Sequence, residues 1–258
     1  MQRSTAYAEA LAPVAECMLE EARIEPGQRV LDVGSGGGDM ALLAAQATGP
    51  LGRVLATDVS LAKMAGLAAR IGALAEPLTI ELLPSAAEDL ALAPATFDVV
   101  LARNCVMYFH DLRRALLNVR EALRPGGRLV ASVYGPLENE PFHAVPIEAV
   151  RLRRALPEPP PEYVRAFRVA AADVQSALTR AGFAEVRTRV VQVQRTYPSL
   201  AAALDLLRAS PSLGELLSSL PKDQLRAAWA DIEGGFRRYQ GPAGLRIPGE
   251  QVVIVGTA

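Results

Sequence analysis

The length, composition and charge of this chain already exclude several classes of protein. It has 258 residues, half of them apolar, which is enough for one large domain with a sizeable core. Lys and Arg number 27 against 28 Asp and Glu, so the basic excess typical of proteins that bind a nucleic-acid backbone is missing, and no nucleic-acid partner is expected.

Cysteine content and hydropathy indicate an intracellular protein. Cys17 and Cys105 are the two cysteines, too few for a disulfide framework. Residues 1–22 alternate charge with alanine, which predicts an amphipathic helix and not a signal peptide. No run approaches the ~18 apolar residues of a membrane span. We therefore expect a cytoplasmic protein without a membrane span; a monomer and a homodimer both stay open.

Strands and helices alternate along the first half of the chain. The hydrophobic periods and turn residues predict these elements in order: a helix at 7–23, a strand at 29–34, a helix at 39–48, a strand at 53–60, a helix at 61–74, strands at 78–86 and within 96–109, a helix after Asp111, a turn at 124–127 and a strand at 128–135. This alternation predicts a doubly wound, Rossmann-like α/β sheet.

The regular alternation ends after residue 135. The later elements expected are a helix at 171–183, a half-exposed strand at 185–197, two or three helices within 199–239 and a last strand at 250–258. Together the patterns predict a seven-stranded sheet, mostly parallel, with an antiparallel C-terminal edge strand and a helical cap.

The first strand runs into a glycine-rich turn, VLDVGSGGGDM at residues 30–40. Ligands of open α/β sheets bind outside the carboxyl ends of the strands, and glycine lets a ligand touch the backbone. The amides that open the next helix favour polar or anionic groups. A tight turn without a ligand is the alternative for this loop taken alone.

Asp58 strengthens the ligand interpretation. It ends the second strand, where a carboxylate can accept hydrogen bonds from both hydroxyls of a ribose, although it could also merely cap the next helix. The spacing G-x-G-x-G at 34, 36 and 38 differs from the G-x-G-x-x-G of dinucleotide folds, and the adjacent Asp39 would repel a pyrophosphate. S-adenosylmethionine, which has a sulfonium and no phosphate, is therefore favoured over NAD.

Taken together, the segments resemble class I S-adenosylmethionine-dependent methyltransferases, and more narrowly the ubiquinone/menaquinone-biosynthesis group and its small-molecule relatives. The resemblance covers most of 7–135 and, more loosely, 136–258. It is carried by VLDVGSGGG (30–38), VLATDVS (54–60), AAEDL (86–90), FDVVLARNCVMYFHD (97–111) and ALRPGGRLVASVYGP (122–136), with ENEPF (138–142) and AGF (181–183). It implies methyl transfer from S-adenosyl-L-methionine to a small, partly apolar acceptor, such as a quinone precursor or a secondary metabolite.

The resemblance also implies a single methyltransferase domain over 1–258. Its donor-binding half would be 1–135, and cap insertions at 136–180 and 198–248 would bind the acceptor.

The resemblance implies where the methionine end of the donor lies. Gly34, Ser35 and Gly36 would lie along it, with a backbone oxygen accepting from the ammonium group. Asp32 would help to hold that end, and Asn104 would face the methyl and amine region. Tyr7 could close over the methionine end.

The resemblance places the nucleoside of the donor at the second strand. Asp58 would bind the ribose, while Val59 and Met64 would flank adenine or else serve as plain packing. The family pattern D-A-E-x-L begins here with Ala86 instead of Asp, so adenine recognition is expected to fall to the backbone at Ala87 and to Glu88.

Methyl transfer from a sulfonium is an in-line displacement, in which alignment of the reactants can contribute roughly 7–11 kcal/mol. No metal is expected. A hydroxyl or acidic carbon acceptor needs a base, and His143 is the predicted catalytic residue, as base or substrate contact. Tyr134, Glu138, Glu140 and His110 are weaker candidates. Carbon, nitrogen and oxygen acceptors stay open.

The cap carries the aromatic side chains expected to line an acceptor pocket or to form the core of the cap. These are Phe142, Tyr163, Phe167, Trp229, Phe236 and Tyr239. Two other functions stay open from the residues: a protein of the same fold that binds the donor without methyl transfer, and an NAD-dependent oxidoreductase.

Overall fold

The computed structural model describes residues 10–159, 161, 164–209, 216–217 and 220–258, so Tyr7 and Tyr163 lie outside it. Two compact units make up the described chain. The first, here the sheet unit, comprises Val14–Val133, Val169–Val191 and Val252–Ala258. The second, here the cap unit, comprises Tyr134–Arg168 and Gln192–Gln251 with residues 10–13.

The described residues form eight helices and eight strands, apart from short 3-10 turns and the incompletely described stretch around 210–219. In chain order they are α1 (Ala12–Ala22), β1 (Arg29–Val33), α2 (Asp39–Thr48), β2 (Arg53–Asp58), α3 (Leu61–Gly72), β3 (Ile80–Pro84), β4 (Phe97–Arg103), α4 (Leu112–Ala122), β5 (Leu123–Tyr134), α5 (Pro141–Arg153), α6 (Ala171–Arg180), β6 (Ala184–Tyr197), α7 (Leu200–Arg208), α8 (Lys222–Arg237), β7 (Gln240–Gly241) and β8 (Gly244–Thr257). No described helix is both long and apolar enough to cross a bilayer.

The strand order confirms the doubly wound α/β class. The sheet runs β3-β2-β1-β4-β5-β8-β6, and β1 pairs in parallel with both β2 and β4. Strand order therefore reverses at β1, the kind of switch point at which open α/β sheets bind ligands beyond the strand ends. Both faces are covered by helices, so β1 is buried from Val30 to Val33.

The C-terminal strands are antiparallel as expected, with two differences in detail. The edge strand is β6, since the C-terminal β8 lies between β5 and β6. The two-residue strand β7 pairs with β8 and raises the strand count to eight.

The turn predicted at 124–127 is wrong, because this segment already belongs to β5. The Gly126 amide donates to the Ala258 carbonyl at 3.0 Å, and the Ala258 amide donates to the Gly127 carbonyl at 2.9 Å. Pairing with the chain's last residue keeps this segment in the sheet although Gly126 has a φ of +79°, and the local Pro-Gly-Gly sequence gives no sign of that distant partner.

Helix α6 lies in the sheet unit, although the sequence assigned residues up to 180 to the cap. Its Val174 and Leu178 are fully buried, and the Arg120 guanidinium on α4 donates to the Gly182 carbonyl just beyond α6 at 2.9 Å. Helix α6 thus packs against α4.

The cap unit has its own apolar core. Helices α5, α7 and α8 and the first part of β8 bury apolar side chains in one cluster, among them Val150, Leu204, Ile232, Phe236 and Leu245. Of the predicted cap aromatics, Phe236 is wholly buried and thus a core residue, while Phe142, Trp229 and Tyr239 pack against this core with partial exposure.

Candidate functional site

The turn after β1 needs glycine at three positions, for two different reasons. Gly34, Gly36 and Gly38 have φ of +64°, +57° and +84°, a region that side chains disfavour. A Cβ at Gly34 would lie 2.6 Å from Cβ of Cys105, and one at Gly38 would lie 2.1 Å from Cδ1 of Leu67. At Gly36 no atom lies within 4 Å of that position. Packing therefore accounts for the outer glycines, while Gly36 leaves bare backbone beside open space.

Asp58 links this turn to the end of β2. Its Oδ2 accepts from the Gly36 amide at 2.9 Å and its Oδ1 from the Ser60 amide at 2.8 Å. The carboxylate therefore has a structural role, and its ribose contact stays a prediction. Because a carboxylate oxygen has two lone pairs, each can still accept a hydroxyl hydrogen bond.

Asp32 lies on β1 two residues before Gly34 and is 1% exposed. Its Oδ2 has no hydrogen-bond partner among the described residues. Burial raises the pKa of this carboxyl from 3.8 to about 7, although the charge of Arg103 opposes the shift. A buried carboxylate oxygen that accepts no hydrogen bond is a place where an ammonium group fits.

Asp39 is paired, which changes the charge of the turn. Its carboxylate accepts from Nη1 of Arg70 at 2.7 Å and from Nη2 of Arg103 at 3.2 Å. Burial would raise the pKa of Asp39, but these arginines outweigh burial and lower it. The two arginines therefore offset the charge on which the predicted repulsion of a pyrophosphate rests, and that repulsion stays a prediction. The partners lie 31 and 64 residues away in sequence, with no local pattern to reveal them.

The two predicted adenine flanks differ in exposure. Val59 is 71% exposed, whereas Met64 is buried, with the Ser35 hydroxyl 3.8 Å from its sulfur. An exposed valine directly after Asp58 is available to a ligand. Met64 packs beneath the turn.

Ala87 and Glu88 are held in place by the neighbouring helix. Nδ2 of Asn118 donates to both of their carbonyls, at 3.1 and 2.8 Å. Oε1 of Glu88 accepts from the amides of His110 and Asp111 at 2.6 and 3.2 Å. His110 thus lies at a loop that Glu88 caps, and the adenine roles of Ala87 and Glu88 stay predictions.

Asn104 follows β4 in a left-handed conformation, with φ of +52°. Its amide donates to the Ser132 carbonyl at 3.0 Å, and its Oδ1 accepts from the Ser132 hydroxyl at 3.2 Å. Nδ2 is buried without a partner in the described chain. A strained backbone and an unpaired hydrogen-bond donor at the end of a strand are typical of a ligand site.

His143 belongs to the cap unit, whereas the described residues predicted to bind the donor belong to the sheet unit. Its Nδ1 lies 3.3 Å from Oε2 of the buried Glu140. Burial lowers its pKa more than the hydrogen bond to Glu140 raises it.

The sheet unit fits S-adenosylmethionine. The unpartnered oxygen of Asp32 suits the ammonium group of this donor and the carboxylate of Asp58 suits its ribose, and both contacts stay predictions. Gly36 offers open backbone. Within the described ranges, no group of three or more His, Cys, Asp or Glu side chains could hold a metal ion.

Comparison with known proteins shows which family part of the chain resembles. Residues 31–131, all in the sheet unit, match the family described as "Methyltransferase domain". Ubiquinone/menaquinone biosynthesis C-methyltransferase of Ralstonia pickettii is 32% identical over 128 residues, 47% of this chain and 51% of that one. Nocamycin O-methyltransferase of Saccharothrix syringae is 29% identical over 202 residues, 74% of this chain and 71% of that one. The chain thus spans about half the length of the first relative and more of the second.

Solved structures agree on the fold. The YcgJ protein of Bacillus subtilis superposes with a TM-score of 0.59 at 16% identity, covering 94% of this chain and 97% of that one. The [4+2]-cyclase SpnF superposes with a TM-score of 0.54 at 18% identity, covering 94% and 79%. Fold, family match and relatives together lead to one assignment: residues 31–131 form a methyltransferase domain of the class I, S-adenosylmethionine-dependent type.

Proposed function

We propose that this protein transfers a methyl group from S-adenosylmethionine to a small, partly apolar organic acceptor. The observation that carries the proposal is Gly36, the turn glycine that packing does not require. Its open side lies in a turn tied to Asp58 and preceded by the unpartnered Asp32. The relatives named for quinone biosynthesis and for nocamycin support an acceptor of this size.

The donor would be held along its length by the sheet unit. Asp32 would bind the ammonium group, Gly34, Ser35 and Gly36 would follow the methionine part, and Asp58 would bind the ribose. Val59 would cover one face of adenine. The Glu88 carboxylate is already engaged, so adenine would meet the Ala87–Glu88 backbone more readily than that side chain.

The bound donor supplies a methyl group on a positively charged sulfur, which leaves as a neutral thioether. The protein therefore needs to align the acceptor, exclude water and, for a protonated acceptor, remove a proton. The donor carries positive charge on sulfur and nitrogen. An ionised Asp32 offsets part of it inside a buried site.

Acceptor binding is the proposed role of the cap unit. The rings of Tyr134, His143 and Phe167 lie with centroids 5.1 to 5.4 Å apart, and Phe142 adjoins His143 at 5.6 Å. A group of aromatic side chains with few polar atoms favours a planar, largely apolar ligand.

Transfer of label tests the proposal. The protein is incubated with methyl-labelled S-adenosylmethionine and a panel of quinols, phenols, 1,3-dicarbonyl compounds and carboxylic acids. We expect label in at least one acceptor, and at least tenfold less label with Asp58→Ala protein at limiting donor. Label that stays wholly in the donor, despite measurable donor binding, would contradict methyl transfer.

The second candidate is a protein that binds the donor without methyl transfer. The similarity to the [4+2]-cyclase SpnF favours keeping it, because the same fold carries a different reaction there. Tight S-adenosylhomocysteine binding with no label transferred across the panel would favour this candidate.

A further inference from the structure

A buried ion pair lies at the base of the aromatic group in the cap unit. The side chain of Glu140 is fully buried, and that of Arg195 on β6 is 3% exposed. Nη1 of Arg195 lies 2.9 Å from Oε2 of Glu140, and the Glu250 amide donates to Oε1 at 2.9 Å. Because burying two charges is costly, such a pair indicates a specific role more than a gain in stability.

The surrounding chain is shaped to hold this pair. A Cβ at Gly249 would lie 2.6 Å from Nη1 of Arg195 and 2.8 Å from Oε1 of Glu140. The Arg195 guanidinium lies over the Phe142 ring, 5.2 Å from its centroid. Glu140 thus has a fixed position beside a guanidinium.

Glu140 in turn fixes the chemistry of His143. Oε2 of Glu140 lies 3.3 Å from Nδ1, and an ionised carboxylate can only accept a hydrogen bond. Nδ1 must therefore carry the proton, which leaves the lone pair on Nε2. The His143 side chain is 29% exposed, so part of the ring is accessible while Glu140 is not.

We propose that Glu140 is a positioning residue that makes His143 a general base through Nε2. The acceptor would then react as an anion: a phenolic or enolic hydroxyl, or an acidic carbon beside a carbonyl, on a planar conjugated skeleton. This inference rests on the proposed methyl transfer and narrows its acceptor class.

The step balances without any further reactant. Nε2 of His143 takes the proton from the acceptor's O–H or C–H group, and the electron pair left on that atom forms the bond to the methyl carbon. The electrons of the broken carbon–sulfur bond stay on sulfur as a neutral thioether. The imidazolium then releases its proton to water.

The electrostatic surroundings keep His143 in its basic form. Burial lowers its pKa, the bond to Glu140 raises it and the charge of Arg195 lowers it, with a net decrease. The groups that face the ring are Glu140, Arg195 and the Tyr134 phenol, while Phe142 and Phe167 are uncharged. His143 is therefore neutral at neutral pH and able to accept a proton.

Nitrogen NMR of the whole protein, with no ligand added, tests the tautomer directly. The chain has two histidines, so the His110→Gln variant assigns both ring signals. We expect His143 to show a protonated Nδ1 and an unprotonated Nε2 at pH 7.5, with a pKa below the ordinary histidine value of 6.5. A protonated Nε2, or an even mixture of tautomers, would overturn the proposal.

Substitution of Glu140 tests whether it sets that tautomer. In Glu140→Gln, we expect the single tautomer to be lost and the pKa of His143 to fall. Should the unpaired Arg195 prevent folding, Glu140→Gln with Arg195→Met removes both charges together and is expected to lose the tautomer likewise. Glu148→Gln, which removes an exposed glutamate paired with Arg151 on the same helix, is the matched control. An unchanged His143 spectrum in a folded Glu140 variant would overturn the proposal.

Calorimetry separates this inference from the proposed function. S-adenosylhomocysteine should bind the Glu140 variants within twofold of the wild type, since Glu140 lies outside the predicted donor residues. Label transfer to phenols or 1,3-dicarbonyl compounds should fall at least 100-fold and show a changed pH profile. Failure of the wild type to bind S-adenosylhomocysteine would contradict the proposed function, while the tautomer measurement would still decide the role of Glu140.

Discussion

Asp32 illustrates how a single side chain can be poorly placed for stability and well placed for binding. A pKa raised from 3.8 to about 7 corresponds to about 4 kcal/mol of unfavourable free energy for the ionised carboxyl. An isolated fold would gain by replacing such a group with a neutral one. Retention of the carboxylate is understandable if a cation arrives to pair with it.

Donor binding should therefore weaken as the pH falls below about 7. Below that pH Asp32 holds a proton in the free protein, and binding of an ammonium group must displace it. We expect the dissociation constant of S-adenosylhomocysteine to rise by up to about tenfold per pH unit below 7. Calorimetry at pH 6 and pH 8 measures it. Asp32→Asn should bind more weakly and without this dependence, and equal affinities in the wild type at both pH values would remove Asp32 from the site.

Substitution of Asp58 should affect binding and stability together. From the sequence, Asp58→Ala is expected to weaken donor binding with little loss of fold. The two amides that Asp58 accepts from change that expectation. We expect at least tenfold weaker S-adenosylhomocysteine binding and a free energy of unfolding lower by about 1–3 kcal/mol in urea titrations.

Asp98→Ala provides the control for Asp58. Asp98 also accepts from a backbone amide, that of Arg29 at 2.7 Å, at the opposite end of β1. The Asp98→Ala variant should be less stable than the wild type and should bind S-adenosylhomocysteine with unchanged affinity. Wild-type affinity in Asp58→Ala would contradict the ribose role.

The sequence indicated which residues lie close together when the residues concerned end neighbouring strands. Gly34, Gly36 and Asp58 come together as expected because they lie at the ends of adjacent parallel strands. The partners of Asp39 and Glu140 could not be predicted in this way. Arg103 and Arg195 reach them from distant strands, and such pairings depend on sheet order and side-chain direction.

Helices and strands were predictable where hydrophobic period and capping residues agreed. Helix α2 has the predicted bounds, and α4 begins after Asp111, which caps it through the Arg114 amide at 2.9 Å. Strand β5 begins five residues before its predicted start, because residues near its beginning are held by pairing with the chain's end. Local sequence thus determined the elements, while tertiary pairing determined several of their ends.

The packing of α3 against the glycine turn predicts the effect of Gly38→Ala. The added methyl group would meet three atoms of the fully buried Leu67, and alanine would be strained at φ of +84°. We expect a loss of roughly 2–4 kcal/mol in the free energy of unfolding.

Gly66→Ala is the matched control on α3. No atom lies within 4 Å of its Cβ position, and it lies within the helix. It should gain up to about 1 kcal/mol from helix propensity. Equal stability of the Gly38→Ala and wild-type proteins in urea would show that the turn does not need glycine there.

The described chain divides into a sheet unit that carries the described residues predicted to bind the donor and a cap unit that carries His143 and Glu140. Because a ligand stabilises the folded state that binds it, S-adenosylhomocysteine at 100 times its dissociation constant should add about 2.7 kcal/mol to the stability of the unit that binds it. We expect a rise in Tm with S-adenosylhomocysteine and none with NAD at the same concentration. A rise with NAD alone would favour the oxidoreductase interpretation.

Calorimetric titration of S-adenosylhomocysteine into wild-type and Gly36→Ala protein tests most directly whether the donor lies against the bare backbone of Gly36. Alanine there meets no atom within 4 Å, so the variant should fold, with a loss of about 1–2 kcal/mol from the left-handed backbone. We predict one site per chain in the wild type and affinity at least tenfold weaker in Gly36→Ala, with an unfolding transition that remains cooperative. No binding by the wild type, or equal affinity in the folded variant, would contradict a donor site at this turn.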